Sequence, residues 1–369
     1  NKNMKLTVTQ ENLAKALASV GRIAASRNEL AILNNILLRT DGSRLVVAAT
    51  NLEIASTQYV GAKVEKPGSI TIPARLVSEF VASLPSGTVE LEVKDEHLHL
   101  TADKFSSVIN GVVADEFPEL PTVDEQTAVR LDMSTDELKK AVSQTIIATS
   151  SDATRAVLTG VYWHTYNSEL YLAATDGYRL AEKRLMKFDG EITAIVPAST
   201  LQEVLRSLDT ETSDVSLFFD ETQVGFRTDH LEIVSRLIDG KFPDYRQLIP
   251  KLAETDVVIK KADFLRITKV ASLFARESGG GITLKASHEQ ALLSIHSIAS
   301  ELGENTSEAS AEVSSDGEIT LNSRYLIESL GATDGETVTF SFNGKLSPCV
   351  IREQTPTPDC MHIVMPLKR

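Results

Sequence analysis

Apolar and polar positions along this chain alternate in blocks whose period switches between two and 3.6. Residues 5–8 alternate like a short strand, and Thr9 stands as a helix N-cap with Asn12 three residues on. Leu13, Ala16, Leu17, Val20 and Ile23 then fall on one helical face. Strands follow at 36–39, 44–48 and 54–59, with Asp41-Gly42 turning the first hairpin. A second block opens at 69–72, and Pro73 sits where a helix begins. Leu76, Phe80, Val81 and Leu84 form the apolar face of that helix, ahead of strands at 89–93, 98–101 and 106–112. The unit is a doubled strand–helix–strand–strand–strand pattern.

The unit recurs about every 125 residues. Lys5-Leu-Thr-Val-Thr-Gln-Glu-Asn-Leu13 returns as Arg130-Leu-Asp-Met-Ser-Thr-Asp-Glu-Leu138 and as Asp256-Val-Val-Ile-Lys-Lys-Ala-Asp-Phe-Leu265. Ala48-Ala-Thr50 returns as Ala173-Ala-Thr175, and Phe117-Pro-Glu-Leu120 as Phe242-Pro-Asp-Tyr245. Ile72-Pro-Ala-Arg75 returns as Val196-Pro-Ala-Ser199 and, more weakly, as Leu321-Asn-Ser-Arg324. Four landmarks in one order predict three tandem domains, over 1–127, 128–253 and 254–369. The period far exceeds that of solenoids, so each unit carries its own core. Six helices and about two dozen strands follow, an α+β fold with helices segregated to one side of the sheets.

Composition fits this picture. The chain has 369 residues and is 42% hydrophobic, enough for three globular domains of ordinary size. No apolar run approaches the roughly 18 residues that span a bilayer. Asn-Lys-Asn-Met-Lys-Leu lacks a signal core, and residues 1–3 read as a remnant ahead of Met4. Cys349 and Cys360, without a CxxC, read as free, partly buried thiols in a reducing cytosol.

Thr175-Asp-Gly-Tyr-Arg-Leu-Ala181, Asp239-Gly-Lys-Phe-Pro-Asp-Tyr-Arg246 and the terminal Ile363-Val-Met-Pro-Leu-Lys-Arg369 are the most specific stretches. With Ile72-Pro-Ala-Arg75, and in this spacing, the chain from Met4 to Arg369 resembles the β sliding clamps of bacterial DNA polymerase III. The resemblance implies the DNA-clamp fold, a ring-shaped head-to-tail homodimer with helices lining a central hole and sheets outside. It implies a non-enzymatic processivity factor, cytoplasmic and nucleoid-associated, that encircles double-stranded DNA without reading its sequence. Implied partners are the DNA polymerase III alpha subunit, the clamp loader and other replication and repair proteins bearing a clamp motif. No cofactor, metal or membrane is implied.

The same resemblance assigns a hydrophobic partner-peptide groove between the second and third domains. Its first wall would be Arg155, Leu158, Thr175, Gly177, Tyr178, Arg179 and Leu180, continued by Pro243, Gln247 and Leu248. Leu346, Pro348, Ile363, Val364, Met365, Pro366 and Leu367 would close it. Residue chemistry agrees, since Met adapts to several ligands and Gly177 lets a backbone approach. A plain last buried strand explains some of Ile363 to Leu367 equally well, so roles divide along it. Gln247 stands where the family often has Arg, and Val157 where an aromatic can occur, which implies a shifted peptide preference. The implied dimer interface brings Lys104, Phe105, Ser107 and Ile109 of one chain to Leu273, Phe274, Glu301 and Glu304 of the other.

Net charge is −14, at first sight wrong for a DNA-binding protein. The six helical stretches nevertheless carry +5 between them and everything else −19. Lys15, Arg22 and Arg27 lie on the first helix, Lys139 and Lys140 on the third, and Arg206 on the fourth. Arg266, Lys269 and Arg276 lie on the fifth. A solvated face explains any one helix as well as DNA does; the asymmetry over six favours a basic lining inside an acidic shell. Phe80, Phe264 and Phe274 read as core rather than stacking platforms, so contact should be to phosphates alone.

Enzyme motifs are missing. There is no P-loop and no Gly-x-Ser-x-Gly, and neither cysteine has an adjacent His to act as base. Asp176 lacks a partner carboxylate. His97 and His99 share a strand face but have no third ligand, which reads as a solvent-facing strand edge. Two classes stand, a ring-shaped processivity factor and a tandem-domain peptide-binding scaffold that never encircles DNA. Oligomeric state separates them, and a hydrolase is a distant third.

Overall fold

The computed structural model describes residues 3–24, 30–210 and 212–368. Among them are 26 strands and six α-helices: α1 Gln10–Ala24, α2 Ala74–Ala82, α3 Thr135–Thr145, α4 Ala198–Ser207, α5 Lys261–Phe274 and α6 Ser323–Ala332. Strands Lys5–Thr9, Val129–Ser134 and Thr255–Lys260 run straight into α1, α3 and α5, so the first repeat landmark is a strand-to-helix junction. The even-numbered helices start directly after Pro73, Pro197 and Asn322. Proline presets φ for helix entry and has no donor to leave unpaired. Asn322 opens α6 differently, its side chain accepting from Arg324 N at 2.9 Å and Tyr325 N at 3.2 Å.

α1 buries Leu13, Ala16, Leu17, Val20 and Ile23, the face read from the spacing. α2 follows its reading only in part: Val81 and, just past the helix, Leu84 are buried as expected. It buries Ala74, Val77 and Val81, while Leu76 is 54% exposed and Phe80 half-buried. Pro73 turns Ala74 inward, and the 3.6-residue phase then selects Val77 and Val81 over the larger side chains. Phe264 is fully buried, but Phe274 is only half-buried.

All strand pairing is antiparallel, and the chain forms two compact units. The first comprises Asn1–Thr135 and Ser199–Leu237. It holds a five-stranded sheet in the order Lys63–Lys66, Lys5–Thr9, Thr88–Lys94, His97–Ala102, Phe105–Asn110. Its eight-stranded sheet runs Val129–Ser134, Asp214–Phe219, Gln223–Arg227, Leu231–Arg236, Ile54–Gly61, Arg44–Thr50, Asn35–Asp41, Ser69–Pro73. The second unit comprises Asp136–Ala198 and Ile238–Arg369. Its nine-stranded sheet runs Thr193–Pro197, Gly160–Tyr166, Glu169–Thr175, Arg179–Lys187, Cys360–Val364, Cys349–Glu353, Thr337–Phe342, Thr255–Lys260, Glu312–Val313. A four-stranded sheet runs Gly303–Ser310, Leu292–Ala299, Gly281–Ser287, Gly317–Asn322.

The long sheets arise because a strand of one repeat pairs with a strand of the next. Leu231–Arg236 lies against Ile54–Gly61, and Cys360–Val364 against Arg179–Lys187. The compact units therefore cut across the repeats. His97–Ala102 is paired on both sides, so His97 and His99 do not sit on an edge strand. Cys349 and Cys360 are free and lie towards opposite ends of adjacent strands.

Candidate functional site

The second unit carries a tightly tied turn between strands Glu169–Thr175 and Arg179–Lys187. Thr175 Oγ1 donates to Arg179 O at 2.7 Å and accepts from Gly177 N at 3.1 Å. Asp176 Oδ1 accepts from Tyr178 N at 2.9 Å and Arg179 N at 3.0 Å. Asp176 is thus a turn residue, with one carboxylate oxygen taken by backbone donors and the other by Arg179 Nε at 3.3 Å. Gly177 has φ of +91°, and an added Cβ would stand 3.0 Å from Arg155 Nη2. Arg155 in turn donates to Asp176 O at 3.1 Å, lying across the glycine. Met365 N donates to Tyr178 O at 2.9 Å and joins the C-terminal segment to the turn.

Beside this turn, Leu158, Leu180, Phe242, Tyr245, Val350, Met361 and Ile363 form a buried apolar cluster. Tyr178, Leu248, Leu346 and Met365 remain 39–76% exposed, large apolar side chains left in solvent. Pro243 and Gln247 are exposed, with Gln247 Nε2 donating to Asp244 Oδ2 at 2.7 Å. Pro348, Pro366 and Leu367 are half-buried, and Leu367 N donates to Thr320 O at 2.8 Å. Two expected groove residues point elsewhere. Val364 belongs to the other core, with Phe264 and Phe340, because strand alternation sends it to the opposite face from Ile363. Arg179 is buried against α6, paired with Asp176 and Glu328 and lying 4.4 Å over the Tyr325 ring.

A polar network that sequence reading missed holds the cluster from beneath. Tyr245 OH donates to Glu182, which also accepts from Arg246 Nη1 at 2.7 Å. His164 Nε2 lies 2.7 Å from the same hydroxyl. With the phenol O–H directed at Glu182, the imidazole must be the donor to the hydroxyl oxygen. Burial, and then Arg246, pushes His164 down to about 4, so it is neutral at ordinary pH. Burial and Glu182 raise the Tyr245 phenol, so it keeps its proton. The only signal in the sequence was Tyr245 standing in the recurrent Phe-Pro landmark.

Both cysteines are free, as expected, but the reading that neither has a histidine beside it needs correction. Cys360 Sγ lies 3.6 Å from His362 Nε2, two residues on along one strand face. Burial pushes the thiol up to about 12 and the imidazole down to about 4, so the pair is neutral and not nucleophilic.

Models of the DNA polymerase III beta subunit match in chain order. The N-terminal domain covers residues 4–121, the central domain 132–244 and the C-terminal domain 246–368. The beta sliding clamp of Bacillus subtilis is 31% identical over 381 residues, spanning 99% of this chain and all of that protein. The chain belongs to the bacterial β sliding clamp family. The solved Bacillus subtilis clamp superposes with a TM-score of 0.94 at 29% identity, covering all of both chains. A Pseudomonas aeruginosa clamp bound to griselimycin gives 0.93 at 26%, again over all of both chains. The clamp is a DNA-sliding processivity factor of DNA polymerase III that tethers partners and has no catalytic activity of its own.

Several basic residues of the clamp's helices are engaged within the fold. Lys15 Nζ is 2.9 Å from Asp209 Oδ2, and Arg22 Nη2 is 2.8 Å from Glu203 Oε1, tying α1 to α4. The hydrogen bond from Lys15, against desolvation, holds Asp209 down at about 2. Lys140 Nζ is 2.5 Å from Asp334 Oδ2, tying α3 to the end of α6. Both members of that pair stand 125 residues beyond Lys15 and Asp209, so one clasp is built twice. Arg266 is 4.0 Å from Asp263. Arg206, Lys269 and Arg276 are exposed, Lys139 is half-buried, and Arg27 lies outside the described residues. No helix of the described residues is long and apolar enough to cross a membrane.

Lys104, Phe105, Leu273, Glu301 and Glu304 of the expected interface are exposed, and Ser107 and Phe274 are half-buried. Ile109 is in the core at 3% exposure, and Val108, at 53%, takes the outward position on that strand.

Proposed function

We propose that two clamp chains close head to tail into a ring around duplex DNA. Strand pairing carries this reading. By repeat position Phe105–Asn110 corresponds to Leu231–Arg236 and Cys360–Val364, while Gly303–Ser310 corresponds to Ile54–Gly61 and Arg179–Lys187. The joint between these two strand types is made twice within the chain. Phe105–Asn110 and Gly303–Ser310 are left as sheet edges. A second copy satisfies both open edges at once, by a head-to-tail contact that closes on itself. Three domains near 1–127, 128–253 and 254–369 per chain then give six around the ring. Arg206, Arg266, Lys269 and Arg276 would meet DNA phosphates.

The exposed Tyr178, Leu248, Leu346 and Met365 support a groove for peptides of the DNA polymerase III alpha subunit, the clamp loader and repair proteins. Griselimycin on the Pseudomonas aeruginosa clamp supports ligand binding by this fold. Such work belongs in the cytoplasm, at the nucleoid.

Phe105→Ala with Val108→Lys should shift the protein to monomer at nanomolar concentration without lowering its melting temperature. A variant that stays dimeric would exclude this edge. Removing residues 365–369 should leave the dimer intact and weaken partner-peptide binding at least about tenfold, since burying a Met is worth about 1.5–3 kcal/mol. Unchanged peptide affinity would place the partner site elsewhere.

A further inference from the structure

The apolar cluster beside the Thr175 turn continues into a charged cavity. Met361 and Ile249, which pack in that cluster, also line a cavity of about 200 Å³ with Tyr171, Arg184, Arg246 and Arg352. Two carboxylates share the cavity, Glu182 and Asp359. Both are committed. Glu182 accepts from Tyr245 and Arg246, and Asp359 Oδ2 lies 2.8 Å from Lys183 Nζ.

The guanidinium groups are less well served. Arg184 Nε is 3.8 Å from Glu169, whose other oxygen already accepts from Tyr171 OH at 3.0 Å. Arg352 has less, its Nη2 reaching only Met361 Sδ at 3.7 Å. Among the described residues no carboxylate lies within salt-bridge distance of Arg352, although its side chain is half-buried. A guanidinium partly withdrawn from water keeps its donors in a fork that matches a carboxylate. The apolar walls from Ile249 and Met361 suit the methylenes of an acidic side chain. The volume admits such a side chain.

We propose that this cavity is a carboxylate subsite, taking an Asp or Glu that flanks the apolar anchors of a partner peptide. Arg352 is the principal contact and Arg184 the second. The proposal rests on the groove reading above and adds a specificity element to it. Apolar anchors decide that a peptide binds; the flanking acid decides which peptide binds best.

Fluorescent peptides with Leu and Phe anchors test it, each carrying Glu or Gln at one flanking position in turn. At one position the Glu peptide should bind wild-type protein about three- to tenfold more tightly than its Gln twin, the range for a partly exposed charged contact. That advantage should shrink with added salt and vanish in Arg352→Gln. The Gln peptide should bind both proteins alike, which also shows that the variant is folded. Arg352→Lys, which keeps the charge but not the fork, should retain part of the preference. If no peptide binds wild-type protein, the groove reading itself fails. Should the Gln peptides bind with no Glu advantage at any position, the subsite alone is wrong. An advantage that survives Arg352→Gln, or equal loss of both peptides in that variant, would also overturn it.

Discussion

His164 and His362 show how far the fold changes single residues. Burial first, then Arg246 or Arg179, lowers each imidazole from 6.5 to about 4. Between those values the unfolded chain binds protons that the folded chain refuses, so stability falls as pH falls. The slope is up to roughly 1.4 kcal/mol per pH unit for each histidine. Denaturant unfolding at pH 7, 5.5 and 4.5 should show this decline, and His164→Gln or His362→Gln should each flatten it. Asp209 acts in a different window. Its carboxyl is lowered from 3.8 to about 2, so its contribution is present above about 3.8 and lost as pH falls through about 2. Flat stability between pH 7 and 4.5 would mean that neither histidine is buried in its neutral form. None of this was legible beforehand, because a lone His in a strand carries no mark of what will cover it.

At the scale of elements, the repeat is reproduced down to individual hydrogen bonds. Thr50 Oγ1 donates to Ile54 O at 3.0 Å and accepts from Leu52 N at 3.1 Å, while Asn51 Oδ1 accepts from Glu53 N and Ile54 N. That is the Thr175 turn again, with Leu52 at φ of +74° where the second copy has Gly177. The copies diverge in what covers the adjoining sheet. In the first unit Val123 packs on Phe218 and Val234 over Gly225, where a Cβ would stand 3.2 Å from it. Leu248, 125 residues after Val123, is exposed instead. The helix clasps differ in strength for a similar reason. Arg22 is 36% exposed and its partner Glu203 only 9%, whereas Lys15 is 63% exposed. After allowance for that exposure, Arg22→Met should cost about 1–2 kcal/mol, because it strands a nearly buried carboxylate. Lys15→Met should cost no more than about 0.5 kcal/mol. Urea unfolding of the two variants compares them, and equal losses would contradict the ranking.

For the whole molecule, function depends on topology more than on affinity. The exposed cations Arg206, Arg266 and Lys269 on the helices, and Arg276 just beyond α5, offer only sequence-blind contacts to phosphates, on a chain whose net charge is −14. Direct binding to DNA should therefore be weak and fall steeply with salt. Protein loaded onto a closed circle should nevertheless outlast protein on a linear duplex with free ends. Linearising the circle should release it within the time needed to slide off. Equal lifetimes on both substrates would mean that contact, and not encirclement, holds the clamp.

The sequence by itself determined the periodicities, the triplication and the strand-to-helix junctions, since all are set by residues within a turn or two of one another. It also carried the peptide turn, whose Thr-Asp-Gly order specifies its own hydrogen bonds. Only the tertiary structure decided which neighbours each face would meet. It turned Val364 and Arg179 away from the groove, chose Val108 over Ile109 for the outer face, and put Leu76 outside. It joined Lys15 to Asp209 across 194 residues and Arg179 to Glu328 across 149. Those outcomes depend on helix phase and on sheets that run through repeat boundaries. A local pattern specifies which side of an element is apolar, but the packing of distant elements settles what lies against it.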